Sequence, residues 1–223
     1  MEIKICGITN MEDALMALSH GTDALGFIFY RKSPRYLTPE AALRIIHELP
    51  DTISKVGVFV NHDIYAVRQI YEFCGLDMIQ LHGDESPEYC GEFPQSILIK
   101  AISPEKEEDL YALNNYNVGA FMIDAREAGI YGGTGKKSNW DLAAKLKDTH
   151  PLVLSGGLNA GNILQAIRTV SPGAVDVNSS VELSPGKKDL RKVQSIIELV
   201  HASARQSSRI IFTRRKHATV TTR

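Results

Sequence analysis

Metal-ligand spacings, membrane-length apolar runs and a surplus of charge are all missing from this sequence of 223 residues. Its three cysteines, Cys6, Cys74 and Cys90, make no CxxC pair, and no HxxxH spacing occurs. The common zinc patterns are therefore excluded, and no metal is expected. Cysteines that are odd in number and widely spaced, with no basic-then-apolar leader, read as reduced thiols and place the chain in the cytoplasm. No apolar run approaches the roughly 20 residues that span a bilayer, so no membrane partner is expected. Hydrophobic, charged and aromatic contents are those of an ordinary globular domain.

The near-neutral net charge of −1 hides an asymmetry. From Arg205 onward the chain carries Arg205, Arg209, Arg214, Arg215, Lys216 and Arg223 and no acid. Setting those six aside leaves 19 of the 25 basic residues against 26 acids, so residues 1–204 are net acidic and make a poor nucleic-acid binder. In residues 205–223 the helical periodicity is lost. The short run "IIFT" has no partner nearby in the sequence, and the segment reads as a basic, disordered extension of a domain formed by residues 1–204.

What is present is regular alternation. Eight short apolar runs have strand character: 3–6, 24–30, 55–60, 78–82, 97–102, 120–124, 152–157 and 174–179. Amphipathic stretches at 11–20, 39–49, 64–73, 103–115 and 159–170 separate them, and a last helix is expected from about Lys188 to Ala202. Thr38, Ser103 and Asn159 stand where helix N-caps belong. Strands alternating with helices imply a parallel sheet with right-handed crossovers. Eight repeats in about 200 residues predict an α/β fold, a single compact (β/α)8 TIM barrel, over a doubly wound open sheet.

In such a barrel the reactive groups gather at the C-terminal ends of the strands. Those ends carry Cys6, His82, Asp124, Gly156-Gly157 and Ser179-Ser180. "LSGGLN" and "DVNSSVE" offer backbone N–H groups, hydroxyls and a helix start that suit a phosphate, or else are two tight turns. Asp124 is either an exposed strand end or a general acid/base, and Cys6 either a core residue or a base. "YGGTGKKSNW" (131–140) is no P-loop, because that motif needs glycine at Ile130 and Ser or Thr at Lys137. It reads as a glycine-hinged loop over a ligand, or as a plain linker. Cys74 and Cys90 read as packing residues.

The runs "KICGIT", "ALGFIFYRKSPRYLTPEAA", "VGVFVN", "IQLHGDE", "GGTGK", "LVLSGGLNAGN" and "VDVNSSVE…PGKKD" together resemble the phosphoribosylanthranilate isomerases of tryptophan biosynthesis, over residues 2 to about 200. The resemblance implies an Amadori rearrangement of N-(5-phosphoribosyl)anthranilate to the 1-deoxyribulose 5-phosphate derivative, without a cofactor. It places the family's cysteine base on Cys6 and its aspartic acid on Asp124. It also sets Arg35 against the anthranilate carboxylate, His82 near the substrate, Asp176 on the substrate hydroxyls, and Gly156, Gly157, Ser179 and Ser180 around the phosphate. The implied partner is a phosphorylated small molecule, and the protein a monomer or homodimer. Three features depart from the family: Ser180 where glycine is common, Ser138 where an aromatic is common, and the basic extension.

Two other readings compete. A sister barrel of histidine synthesis performs the same rearrangement on another phosphoribosyl amine, but that family resembles a pair of half-barrels with aspartate where Cys6 stands. A nucleic-acid binder working through the basic extension is the second, yet that segment has one aromatic, Phe212, and no recognisable motif.

Overall fold

The computed structural model describes residues 1–125, 138–203 and 210–214. All eight expected strands are present: β1 (Glu2–Cys6), β2 (Ala24–Ile28), β3 (Ser54–Phe59), β4 (Met78–Leu81), β5 (Leu98–Ile102), β6 (Ala120–Ile123), β7 (Leu152–Leu154) and β8 (Ala174–Val177). They close into one barrel in sequence order, and parallel pairing of β1 with β8 completes the ring. Helices α1 (Met11–Ser19), α2 (Pro39–Ile46), α3 (Ile64–Phe73), α4 (Pro87–Gly91), α5 (Glu108–Tyr111), α6 (Trp140–Lys147), α7 (Ile163–Val170) and α8 (Leu190–Ala202) lie between and after the strands. A short antiparallel pair, β9 (Glu182–Ser184) with β10 (Lys187–Lys188), precedes α8. Among the described residues no helix is long and apolar enough to cross a membrane.

Each strand of the barrel is buried on both faces, as a parallel sheet covered by helices requires. Outward residues such as Ile3, Ile5, Leu25 and Phe27 pack with Ala14, Ala17 and Ala42 of the helices. Inward residues such as Val56, Met78, Ile99, Met122 and Val153 fill the lumen. Strand alternation thus divides one sheet between two apolar layers.

Local capping differs from expectation in two places. Thr38 does cap α2, accepting from the Ala41 N–H, but Ser103 caps nothing. Its hydroxyl donates to the Asp124 carbonyl at 2.7 Å, and the expected helix over 103–115 contracts to α5 and a 3-10 turn, Ala112–Asn115. Asn159 is likewise not a cap. Its side chain accepts from the Gly161 N–H and donates to the Gly157 carbonyl, so α7 starts only at Ile163. Helix α6 lay hidden behind the loop reading of 131–140, although Asn139 caps it from the Leu142 N–H. Residues 131–137 of that loop lie outside the described residues.

The expectation of an unpartnered extension fails over residues 210–214. Ile211 and Phe212 are 6% and 1% exposed and pack into the base of the lumen with Ala24, Ala120 and Ala174. The Glu2 carboxylate accepts from the Ile211 and Phe212 N–H groups at 2.6 and 3.3 Å, and Ser54 donates to the Thr213 carbonyl at 2.8 Å. The small inward residues that begin β2, β6 and β8 leave room for a phenyl ring, and Phe212 takes it. The extension therefore plugs the end of the barrel opposite the strand C-termini. Residues 205–209 and 215–223 lie outside the described residues.

Candidate active site

Strand β1 delivers two inward side chains one above the other, Lys4 and then Cys6. Both are buried, at 0% and 4% exposure. In register, Lys4 faces Asp176 of β8 and Cys6 faces Gly26 of β2. The Lys4 Nζ lies 2.6 Å from Asp176 Oδ1, and Asp176 Oδ2 accepts from the Ser155 hydroxyl at 3.2 Å. Burial pushes the Cys6 thiol above its usual range. Lys4 pulls against that shift, Asp176 adds to it, and Lys188 opposes it more weakly.

Gly7 follows at φ +73, which only glycine adopts without strain. A Cβ there would sit 2.6 Å from both the Arg35 Cδ and the Asn178 Oδ1. The sharp turn after Cys6 thus also lets the Arg35 stem pass. The Arg35 guanidinium grips Glu182 through Nε and Nη2 at 2.7–3.1 Å. Lys188 Nζ reaches the same carboxylate at 2.8 Å and Asn178 Oδ1 at 3.1 Å. Burial alone would raise the Glu182 carboxyl, but the hydrogen bonds from Arg35 and the charge of Lys188 hold it below its usual range.

The other side of the mouth is built by β4, β6 and β7. His82 Nε2 lies 3.1 Å from Asp124 Oδ2, and Gln80 Nε2 lies 2.7 Å from His82 Nδ1. With Gln80 as donor, the neutral ring carries its hydrogen on Nε2 and gives it to Asp124. The Ala125 N–H donates to Asp124 Oδ1 at 2.8 Å. Gly156, at φ +86, packs so closely that a Cβ would lie 2.7 Å from Ala125 N and 3.2 Å from Asp124 Oδ1. Ser138 is buried beside it and donates to the Ser155 carbonyl at 2.7 Å, fixing the returning end of the loop after β6.

Gly156 and Gly157 are consecutive left-handed residues, at φ +86 and +63. The Asn159 and Asn162 side chains both donate to the Gly157 carbonyl, which holds that carbonyl turned toward the start of α7. Ser179 and Ser180 stand on the 3-10 turn Ser179–Val181 after β8. The Ser180 Oγ is buried without a hydrogen-bond partner among the described residues.

The structure brings Cys6, His82, Asp124 and Gly156 to one end of the barrel, with Gly157 following Gly156 after β7 and Ser179 and Ser180 on the turn after β8. Contacts run from His82 through Asp124, Gly156 and its neighbour Ser155 to Asp176, Lys4 and Cys6. Sequence reasoning missed Lys4, Ser155, Glu182 and Lys188. A lysine between two isoleucines in a buried strand was the available signal for the first of these, and a glycine inside β2 marked the close approach beside it.

The match to the family model described as N-(5'phosphoribosyl)anthranilate (PRA) isomerase covers residues 3–199. The chain belongs to the phosphoribosylanthranilate isomerase family. It is 51% identical over 199 residues to the N-(5'-phosphoribosyl)anthranilate isomerase of Syntrophus aciditrophicus, covering 89% of this chain and 86% of that one. With the phosphoribosylanthranilate isomerase of Pelobacter propionicus it shares 46% identity over 209 residues, 94% of this chain and 100% of the relative. Among solved structures, the phosphoribosylanthranilate isomerase of Thermotoga maritima superposes with a TM-score of 0.83 at 43% identity, covering 91% of this chain and 99% of that one. A phosphoribosylanthranilate isomerase solved with reduced 1-(o-carboxyphenylamino)-1-deoxyribulose 5-phosphate superposes with a TM-score of 0.80 at 40% identity, with the same coverage.

Proposed function

We propose that this chain isomerises N-(5'-phosphoribosyl)anthranilate in tryptophan biosynthesis, with Asp124 as general acid and Cys6 as general base. Asp124 protonates the ribose ring oxygen, and the ring opens to a protonated Schiff base. The Cys6 thiolate then removes the C2 proton, which the iminium has made acidic, leaving a neutral enolamine that tautomerises to the ketone. One turnover moves a proton from Asp124 to Cys6, and exchange with solvent resets the pair. Each proton-transfer role is typically worth about 10²–10⁴ in rate.

The observation that carries this reading is the contiguous array linking a buried cysteine on β1 to an aspartate after β6, on one barrel mouth beside two left-handed glycines. The remaining roles follow from chemistry. Left-handed Gly156 and Gly157 free backbone N–H groups for a phosphate, and the unpartnered Ser180 hydroxyl is a donor for one of its oxygens. Ser179 stands on the same turn. Arg35, held by Glu182 through Nε and Nη2, keeps Nη1 for the anthranilate carboxylate. His82 holds Asp124, and Asp176, which already engages Lys4 and Ser155, is assigned to the substrate hydroxyls.

The relative solved with reduced 1-(o-carboxyphenylamino)-1-deoxyribulose 5-phosphate supports a phosphorylated small-molecule substrate. A relative from Thermotoga maritima is described as dimeric, and we assign this chain a monomer or homodimer on that basis. Three free cysteines suit the reducing cytoplasm. A steady-state assay of the purified full chain with phosphoribosylanthranilate tests the function. Turnover is expected. Turnover of only the corresponding histidine-pathway aminoaldose would overturn the reading.

A further inference from the structure

A fully buried ammonium in a barrel lumen needs a reason, because aliphatic side chains fill that space elsewhere at no desolvation cost. Among the described residues Lys4 has one ionic partner, Asp176, at 2.6 Å. An ion pair made only for stability would explain those two residues and nothing more. Gly26 shows that the ammonium has a second neighbour. A Cβ on that residue would lie 2.7 Å from the Cys6 Sγ and 3.1 Å from the Lys4 Nζ, so both atoms converge on the one place where β2 carries no side chain. The thiol and the ammonium sit on the same face of β1, one layer apart, facing the same gap.

We propose that Lys4 is a positioning residue for proton transfer: its ammonium, anchored by Asp176, is the counter-charge against which the Cys6 thiolate forms. The inference rests on Cys6 being the base. Buried among Ile28 and Val58, a thiolate would otherwise have no solvent to stabilise it. The charged groups near Cys6 are Lys4 on the same strand, Asp176 on β8 and Lys188 on β10; Arg35, whose stem passes Gly7, is engaged by Glu182. Lys4 is the cation that acts most strongly on the thiol, while Asp176 opposes thiolate formation and keeps the lysine protonated. The thiol stays above its usual range even so, which makes the thiolate a minor species at neutral pH and makes the rate proportional to its amount.

The test follows the Cys6 titration by the Cβ NMR shift of isotope-labelled cysteine, assigned with Cys6→Ser, beside the pH profile of kcat/KM. Lys4→Met is expected to raise the thiol midpoint by about one pH unit or more, a tenfold loss of thiolate at neutral pH, with the ascending limb of the profile moving equally and activity recovering toward alkaline pH. Should Lys4→Met fail to fold, Lys4→Met/Asp176→Asn removes both charges, and its midpoint is expected above that of the wild type. A midpoint unchanged in the folded lysine variant overturns the proposal. Full turnover by Cys6→Ser would instead overturn the assignment of the base, and the two failures read out separately.

Discussion

The imidazole of His82 and the carboxyl of Asp124 meet at 3.1 Å across the top of β5, with the Ala125 N–H on the other carboxyl oxygen. An asparagine would keep the shape, but its single oxygen could accept from only one of these two N–H groups, and it has no acidic proton to give. Asp124→Asn is expected to lower kcat/KM by about 10²–10⁴ in a chain that still unfolds cooperatively, measured by steady-state assay and calorimetry. A loss smaller than tenfold would move the acid role elsewhere.

Cys6→Ala removes the proposed base while leaving only a small gap in the lumen. Turnover should fall by about 10²–10⁴, and the far-UV circular dichroism should match the wild type. Retained activity would return Cys6 to a packing role.

Glu182 couples Arg35 to Lys188, and its acidic folded pKa gives that coupling a pH signature. The carboxyl titrates below its usual 4.5 when folded, so its contribution to stability is complete above that pH and is lost as pH falls through the lower folded value. Glu182→Gln should therefore cost about 3–5 kcal/mol at pH 7, and the gap to the wild type should close in acid. Urea unfolding from pH 3 to 7 measures it; a gap independent of pH would rule out the charge pairing as its source.

Gly7→Ala introduces a Cβ at φ +73 within 2.6 Å of the Arg35 stem and the Asn178 amide. Left-handed backbone alone costs about 1–2 kcal/mol, and displacement of Arg35 should raise KM as well. Denaturant midpoints together with KM for phosphoribosylanthranilate check both parts. An unaltered KM would separate Arg35 from the substrate carboxylate.

Phe212→Ala empties the base of the lumen. A buried Phe→Ala change typically costs about 3–5 kcal/mol, but this segment can detach, so docking energy caps the loss and about 3 kcal/mol or less is expected. Activity at 25 °C should stay within about twofold, because the plug lies at the end opposite the strand C-termini. Thermal melts of Phe212→Ala and of a chain ending at residue 209 should agree; identity of both with the wild type would mean that the docked segment adds nothing.

Much of the molecule was legible as sequence. Short apolar runs with helical stretches between them fixed eight strands to within a few residues, and the chemistry-bearing residues stood at their C-terminal ends, where a barrel collects them. Where the reading failed, one polar group had two uses. Ser103 was free to cap a helix until β6 brought the Asp124 carbonyl within 2.7 Å. Asn159 was drawn to the Gly157 carbonyl instead of to α7. For α6 the signal was present in Asn139 and the apolar spacing after it, but the glycines just before drew the whole stretch into a loop.

The sequence by itself determined the strands, their order and the reactive types at their ends, because those depend on alternation and spacing along one chain. Only closure of the barrel decided which face of each strand looked inward. Alternation in "EIKIC" separates Lys4 and Cys6 from Ile3 and Ile5, yet it cannot say that the lysine, not the isoleucine, enters the lumen and meets Asp176 from the far end of the chain. The same holds for Phe212 and Thr213, whose respective partners Glu2 and Ser54 lie more than a hundred residues away. Contacts between distant residues exist only once the ring is closed, and the electrostatics of Cys6 and the sealing of the base are made of such contacts.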